Sequence, residues 1–224
     1  MPTDWPLPPI PGGWCRRRIR CGQRTYSLTL PRCPDAFLDA PEVLRRHERT
    51  GYMPYWAYLW PAAETMARCV AEDRLPLRSP VVELGCGTGL VGLAAAARGH
   101  RVTFSDHDPL AVGTALHNAR RNGVTDVRGA VFDWKEPPAM RFQTVLGCEI
   151  TYEVPVHAAV AGAIRRLLAP GGTCWLGDAG RHCAEHFLAT AARADLTVAV
   201  FDEFLRPLNA PRSGRFQLFR LTHR

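Results

Sequence analysis

One run of seven residues limits the fold of this 224-residue chain more than any other feature. Glu83-Leu84-Gly85-Cys86-Gly87-Thr88-Gly89 follows the apolar stretch Val81 to Leu84 and opens the helical pattern Leu90 to Arg98. A strand that runs through alternating glycines into a helix brings backbone N–H groups close to a ligand. In an open α/β sheet, such a turn lies at the carboxyl ends of the strands, where ligands bind. The rest of the chain agrees. Short apolar runs at 101–105, 127–132, 142–148 and 173–177 alternate with helical patterns, which indicates βαβ units and a parallel sheet. Asp108-Pro109 is an N-cap followed by a first-turn proline, and Gly99 and Gly123 close the helices before and after it. Pro155 opens a further helix, which Pro170-Gly171-Gly172 ends, and another helix spans about 181–193. The last two strands, Leu196 to Phe201 and Arg215 to Leu221, are separated only by Asp202 to Gly214. That is too short for a helical crossover, so they are expected to pair antiparallel and close the sheet.

Composition narrows the function classes. Apolar residues are 46% and charged residues 22%, ordinary for a globular chain. No apolar run approaches the ~20 residues of a bilayer span, and the first residues lack the basic-then-apolar order of a secretory signal. A cytoplasmic, soluble, monomeric protein is expected, with no membrane partner. Eight scattered cysteines form no Cys-x-x-Cys pair, so free thiols and no metal are expected. The formal charge of +7 comes almost wholly from arginine, Lys135 being the only lysine, so nucleic acid is not the favoured partner. The one basic cluster, Arg16, Arg17, Arg18 and Arg20 followed by Arg24, reads as a solvated face. Residues 1–50 read as an N-terminal extension ahead of a catalytic domain at 51–224. The extension starts as a tail with prolines at 2, 6, 8, 9 and 11, then carries a hairpin near Cys15 to Leu30 and a short helix near Glu42 to Arg49. Next comes an aromatic segment, Tyr52-Met53-Pro54-Tyr55-Trp56-Ala57-Tyr58-Leu59-Trp60-Pro61, whose density of rings points to at least one ligand contact.

Two ligand classes compete for the glycine turn. Gly87-Thr88-Gly89-Leu90-Val91-Gly92 also satisfies the dinucleotide pattern G-x-G-x-x-G, with Asp106 at nearly the right distance. Three features favour the earlier register: the turn starts at Gly85, the last strand is antiparallel, and Asp133-Trp134 and Glu149-Ile150-Thr151-Tyr152 end strands that face the same crevice. With these residues the chain resembles the class I, seven-β-strand S-adenosylmethionine-dependent methyltransferases. Within them it is similar to the family 16 branch, rich in protein-lysine methyltransferases, and to bacterial relatives of the enzyme acting on the electron transfer flavoprotein β subunit. The resemblance covers roughly Tyr55 to the C-terminus.

It implies a Rossmann-like sheet of seven strands, mostly parallel with an antiparallel last strand, and helices on both faces. It also implies S-adenosyl-L-methionine as cofactor. Glu83, Gly85, Cys86, Gly87 and Gly89 would cradle the methionine part. Asp106, with His107 beside it, would accept from the ribose diol. Asp133 would accept from the adenine amino group, Trp134 would pack on the purine, and Trp60 and Cys148 would lie near the sulfonium end. Glu149 and Tyr152 would form the acceptor site. Glu149 stands where the branch commonly has Asp, so its arm is longer. The implied reaction is methyl transfer to nitrogen, favouring a protein lysine over a small molecule. A nucleic-acid acceptor is disfavoured because no Asn/Asp-Pro-Pro-Tyr-like base pocket is present.

Overall fold

The computed structural model describes residues 7–224. Pro2 and Pro6 of the proline-rich start fall outside them; Pro8 accepts a hydrogen bond from the Trp14 indole at 2.7 Å. The chain opens with an antiparallel hairpin, β1 (Trp14–Cys21) and β2 (Arg24–Pro31). Arg16, Arg17, Arg18 and Arg20 are exposed on β1, while Ile19 and Cys21 turn inward. Helices α1 (Pro34–Leu38) and α2 (Pro41–Thr50) follow, then a short 3-10 turn at Tyr55–Ala57 and helix α3 (Pro61–Ala71). The sequence reading passed over α3. Its signals are Pro61 at the first helical position and Glu64 in the first turn, and it buries Met66, Ala67 and Val70.

The main sheet is built from β3 (Val81–Leu84), α4 (Leu90–Ala96), β4 (Val102–Asp106), α5 (Pro109–Arg121), β5 (Val127–Val131), β6 (Phe142–Cys148), α6 (His157–Leu167), β7 (Leu168–Asp178), α7 (Ala184–Arg193), β8 (Leu196–Phe201), β9 (Pro207–Leu208) and β10 (Gln217–His223). Its order is β5-β4-β3-β6-β7-β10-β8-β9. The first five strands in that order are mutually parallel. The final long strand, β10, is antiparallel to β8 as expected, but it does not lie at the edge. It runs between β7 and β8, antiparallel to both. Its composition suits that place: Leu218, Phe219 and Leu221 are wholly buried, feeding the cores on both faces of the sheet. The two-residue β9 takes the edge beside β8, making eight strands among the described residues.

Pro170-Gly171-Gly172 does not end α6 with a loop. Strand β7 starts directly at Leu168, and the proline and glycines fall in a bulge between the pairs Phe142↔Leu168 and Thr144↔Thr173. Alternate residues of the sheet feed two cores. Val81, Phe104 and Leu146 pack with α3, α4, α5 and the hairpin, whereas Val82, Leu84, Val145 and Leu176 pack with α6 and α7. All eight cysteines are free, and only Cys33 is exposed. No helix of the described residues is long and apolar enough to cross a membrane.

The hairpin is attached to the domain through two asparagines one turn apart on α5. Buried Asn118 accepts from Thr29 N at 2.7 Å and donates to Thr29 O at 3.2 Å, so its amide does the work of a neighbouring strand. The same Nδ2 donates to Thr88 O at 2.9 Å inside the glycine turn. Asn122 repeats the pairing with Ser27, accepting at 2.9 Å and donating at 2.9 Å. Asn118→Ala would leave several buried backbone groups unpaired, at roughly 1–3 kcal/mol each. The expected loss of unfolding free energy is about 3 kcal/mol, against about 1 kcal/mol for the half-buried Asn122→Ala. Urea denaturation of both variants checks this.

Candidate active site

The chain order runs outward from β3 to β4 and β5, then returns to place β6 on the other side of β3. That reversal is the topological switch point of the sheet, and a cavity of about 340 Å³ opens above it. Its floor is the turn after β3. Gly85, Gly87 and Gly89 all have positive φ, at 59°, 50° and 82°. A Cβ at Gly85 would stand 2.7 Å from Ile150 Cγ2 and 3.2 Å from the Trp134 ring, and one at Gly89 would stand 2.6 Å from Ala115 Cβ. Side chains are therefore excluded at both positions.

Two buried carboxylates hold this turn from beneath. Asp106, at the end of β4, accepts from Gly87 N at 3.1 Å with one oxygen and from Asp108 N at 3.1 Å with the other, beside the His107 ring at 3.4 Å. Burial pushes its carboxyl above the usual range. Glu83 accepts from Gly92 N at 2.9 Å, and its burial, with Asp106 nearby, raises its pKa to about 8. An aromatic arch covers the opposite wall. Trp56 and Tyr52 both donate to Asp108, the indole at 3.0 Å, while Asp108 also caps α5 through Leu110 N. Trp56 packs against Trp14 and Phe37, which brings Tyr55, Tyr58 and Trp60 to the cavity rim.

Of the residues singled out from sequence, Trp60, Glu83, Gly85, Cys86, Gly87, Asp106, His107, Trp134, Cys148, Glu149 and Tyr152 line this one cavity. Gly89 and Asp133 do not. Gly89 is the left-handed N-cap of α4, pressed against Ala115. Asp133 is exposed just beyond the lining, and its Oδ1 accepts from Lys135 N at 2.9 Å.

Glu149 also departs from expectation. It sits at the end of β6 with φ 56°, a left-handed conformation that aims its side chain across the mouth. Neither oxygen is free: Oε1 accepts from Ala179 N at 2.7 Å, and Oε2 accepts from Arg181 Nε at 2.9 Å and from Arg181 Nη2. Its charge is already paired with a guanidinium at the mouth of the cavity. Tyr152 is half-buried edge-on to Tyr55, with ring centroids 6.1 Å apart, and burial beside Glu153 raises its hydroxyl pKa.

Sequence reasoning missed Arg181 altogether, assigning it to the start of a helix. The signal was available: it lies three residues beyond β7, at the same end of the sheet as the other site residues. Asp178, fully buried, builds the turn that presents it, accepting from Gly180 N at 2.7 Å, Arg181 N at 3.0 Å and Gln217 Nε2 at 2.9 Å.

Comparison with known proteins identifies the arrangement. Residues 81–172 match a family described as a methyltransferase domain. Over that stretch the chain is similar to methyltransferase domains. It is 32% identical over 139 residues to EEF1A lysine methyltransferase 3 of Mus musculus, covering 58% of this chain and 60% of that one. It is 30% identical over 146 residues to the ubiquinone biosynthesis O-methyltransferase of Xylella fastidiosa, covering 61% and 59%. The chain thus spans less than two thirds of the length of these curated relatives. Among solved structures, a TehB-like S-adenosylmethionine-dependent methyltransferase from Corynebacterium glutamicum superposes with a TM-score of 0.57 at 18% identity, covering 82% of this chain and 95% of that one. The glycopeptide N-methyltransferase MtfA, complexed with S-adenosylhomocysteine, gives 0.58 at 16% identity, covering 83% and 98%. The fold is shared with both. The earlier glycine register is the one that faces the cavity: Gly85 and Gly87 line it, whereas Gly92 is engaged by Glu83.

Glu83 makes the domain sensitive to pH with a definite sign. Its ordinary pKa near 4.5 rises to about 8 in the fold, so the folded state holds a proton that the unfolded chain gives up. That contribution to stability is complete below pH 4.5 and is lost as pH rises to about 8. Glu83→Gln should flatten this slope while keeping the acceptor for Gly92 N, as read by denaturant unfolding between pH 5 and about 8.5.

Proposed function

We propose that this chain is an S-adenosylmethionine-dependent methyltransferase acting on nitrogen, with a protein lysine as the favoured acceptor. The supporting observation is that the glycine turn, Asp106 and Trp60 line one cavity at the switch point of the sheet. The residues fit the cofactor. A carboxylate offers about four lone-pair sites, so Asp106 can keep its two backbone donors and still accept from a ribose diol. Trp60 gives an aromatic face of the kind that attracts a sulfonium. Trp134, packed beside Gly85, offers a flat apolar wall for a purine.

The bound cofactor supplies a methyl group on a positively charged sulfur, already an electrophile. What remains for the protein is alignment and a neutral acceptor. Tyr55, Trp60 and Tyr152 would hold the acceptor nitrogen in line with the methyl group that the cofactor would supply, with the displaced amine proton left to solvent. Holding the partners in line can contribute ~7–11 kcal/mol. A lysine amine with a reference pKa near 10.4 must first lose a proton, at about 4.6 kcal/mol for pH 7. The apolar and aromatic lining from Tyr55, Trp60 and Tyr152 lowers that cost, since burial disfavours an ammonium. The lysine reading draws on the similarity to EEF1A lysine methyltransferase 3. A small-molecule acceptor is the second reading, favoured by the match to a ubiquinone biosynthesis O-methyltransferase.

Calorimetric titration should give tight binding of S-adenosylhomocysteine, weakened about 10–100-fold by Asp106→Asn through loss of charged hydrogen bonds. Tight binding of a nicotinamide dinucleotide without S-adenosylhomocysteine would overturn the reading. Incubation with labelled cofactor and host lysate then separates the acceptors. A labelled polypeptide supports lysine, and label confined to the low-mass fraction supports the small molecule.

A further inference from the structure

Arg181 is the one cation whose charged group faces the acceptor end of the cavity among the described residues. Its side chain is 33% exposed, against 4% for its partner Glu149. The guanidinium carbon lies 5.6 Å from the centre of the Trp60 ring. Nε and Nη2 are turned back onto Glu149. The Nη1 group has no hydrogen-bond partner among the described residues. Seen from the mouth, the buried carboxylate is hidden and the guanidinium edge is presented. The other acids on the lining are placed differently. Glu83 and Asp106 are bonded into the glycine turn at the far end, and Glu153 is exposed at the rim. An arginine fixed through one side of its fork keeps the other side ordered, and that edge matches a carboxylate.

We propose that Arg181 is an acceptor-recognition residue: the molecule to be methylated carries a carboxylate close to its nucleophilic atom, and Arg181 binds it. This inference rests on the methyltransferase reading above and adds the charge of the substrate. It reverses the expectation drawn from Glu149 alone, since the charge offered to the substrate is positive. Glu149 is a positioning residue that fixes the guanidinium beside Trp60. The recognised carboxylate belongs either to an acidic side chain next to a target lysine or to a small acid.

The test is titration of full-length protein, with and without saturating S-adenosylhomocysteine, using four probes. These are glutarate, n-butylammonium, and the blocked dipeptides Glu-Lys and Gln-Lys. Glutarate or Glu-Lys should bind, while butylammonium and Gln-Lys bind at least about tenfold more weakly, the factor that 1.4 kcal/mol represents. Arg181→Gln should remove the preference. Arg181→Lys should recover part of it, because the charge returns without the fork. Because Arg181→Gln strands a buried carboxylate, the neutral pair Glu149→Gln with Arg181→Gln serves as a second variant and should also lose it. Binding of glutarate but not Glu-Lys identifies a small acid, and binding of Glu-Lys identifies an acidic peptide. Equal or tighter binding of butylammonium by the unaltered protein overturns the proposal. So does a carboxylate affinity unmoved in both Gln variants. A protein that takes S-adenosylhomocysteine but ignores both carboxylate probes refutes this inference and leaves the reading standing. One that takes glutarate but not S-adenosylhomocysteine does the opposite.

Discussion

Two buried acids hold a turn that only glycine can make. Glu83 and Asp106 lie near the ends of adjacent parallel strands; Asp106 accepts from Gly87 N in the turn, and Glu83 accepts from Gly92 N in the first turn of α4. They add to the backbone bonds from Cys86 N to Ser105 O and from Gly89 N to Cys86 O that hold the left-handed residues at 85, 87 and 89. The arrangement carries an electrostatic cost, since burial raises both carboxyls. That cost is a reason to expect a cation nearby in the working state, as a buried acid regains its charge most easily beside one. The rest of the cavity is arranged around this turn: Trp134 against Gly85, Thr88 tied to Asn118, and the arch from Tyr52 to Trp60 pinned through Asp108.

Much of this was legible beforehand because it is local. Strands β3, β6 and β8 have the bounds their apolar runs indicate, and Asp108-Pro109 starts α5 as an N-cap and proline pair should. The helix α3 escaped notice because Tyr and Trp residues dominate the segment before it and obscure its apolar spacing. The bulge at 170–172 was read as a stop, since proline and glycine punctuate loops more often than strands. The interior position of β10 is a non-local fact. Its apolar residues on both faces were visible, but which neighbours would cover them was not.

The candidate site divides in the same way. Most residues placed by strand ends came together on the cavity wall: Glu83, Asp106, Cys148 and Glu149. Glu149 shows the limit of the method. Its position follows from the strand, but its partner comes from a turn after β7 that Asp178 shapes, some thirty residues downstream. Charge at a site is a property of pairs, and a single sequence shows only the members. Asp133 stands just beyond the lining, and one of its oxygens bonds locally to the N–H two residues on.

The threading of β10 through the middle of the sheet has a consequence for biogenesis. In chain order β10 follows every other described strand, yet β7 and β8 meet only through it. A nascent polypeptide halted before Gln217 would hold the parallel half, glycine turn included, while β8 and α7 lacked their seam. Synthesis from the amino end therefore builds the donor-binding half first and leaves an open slot beside β7 until the ribosome has released the final strand. During that interval two strand edges are unpaired, so shielding by a chaperone would matter most there.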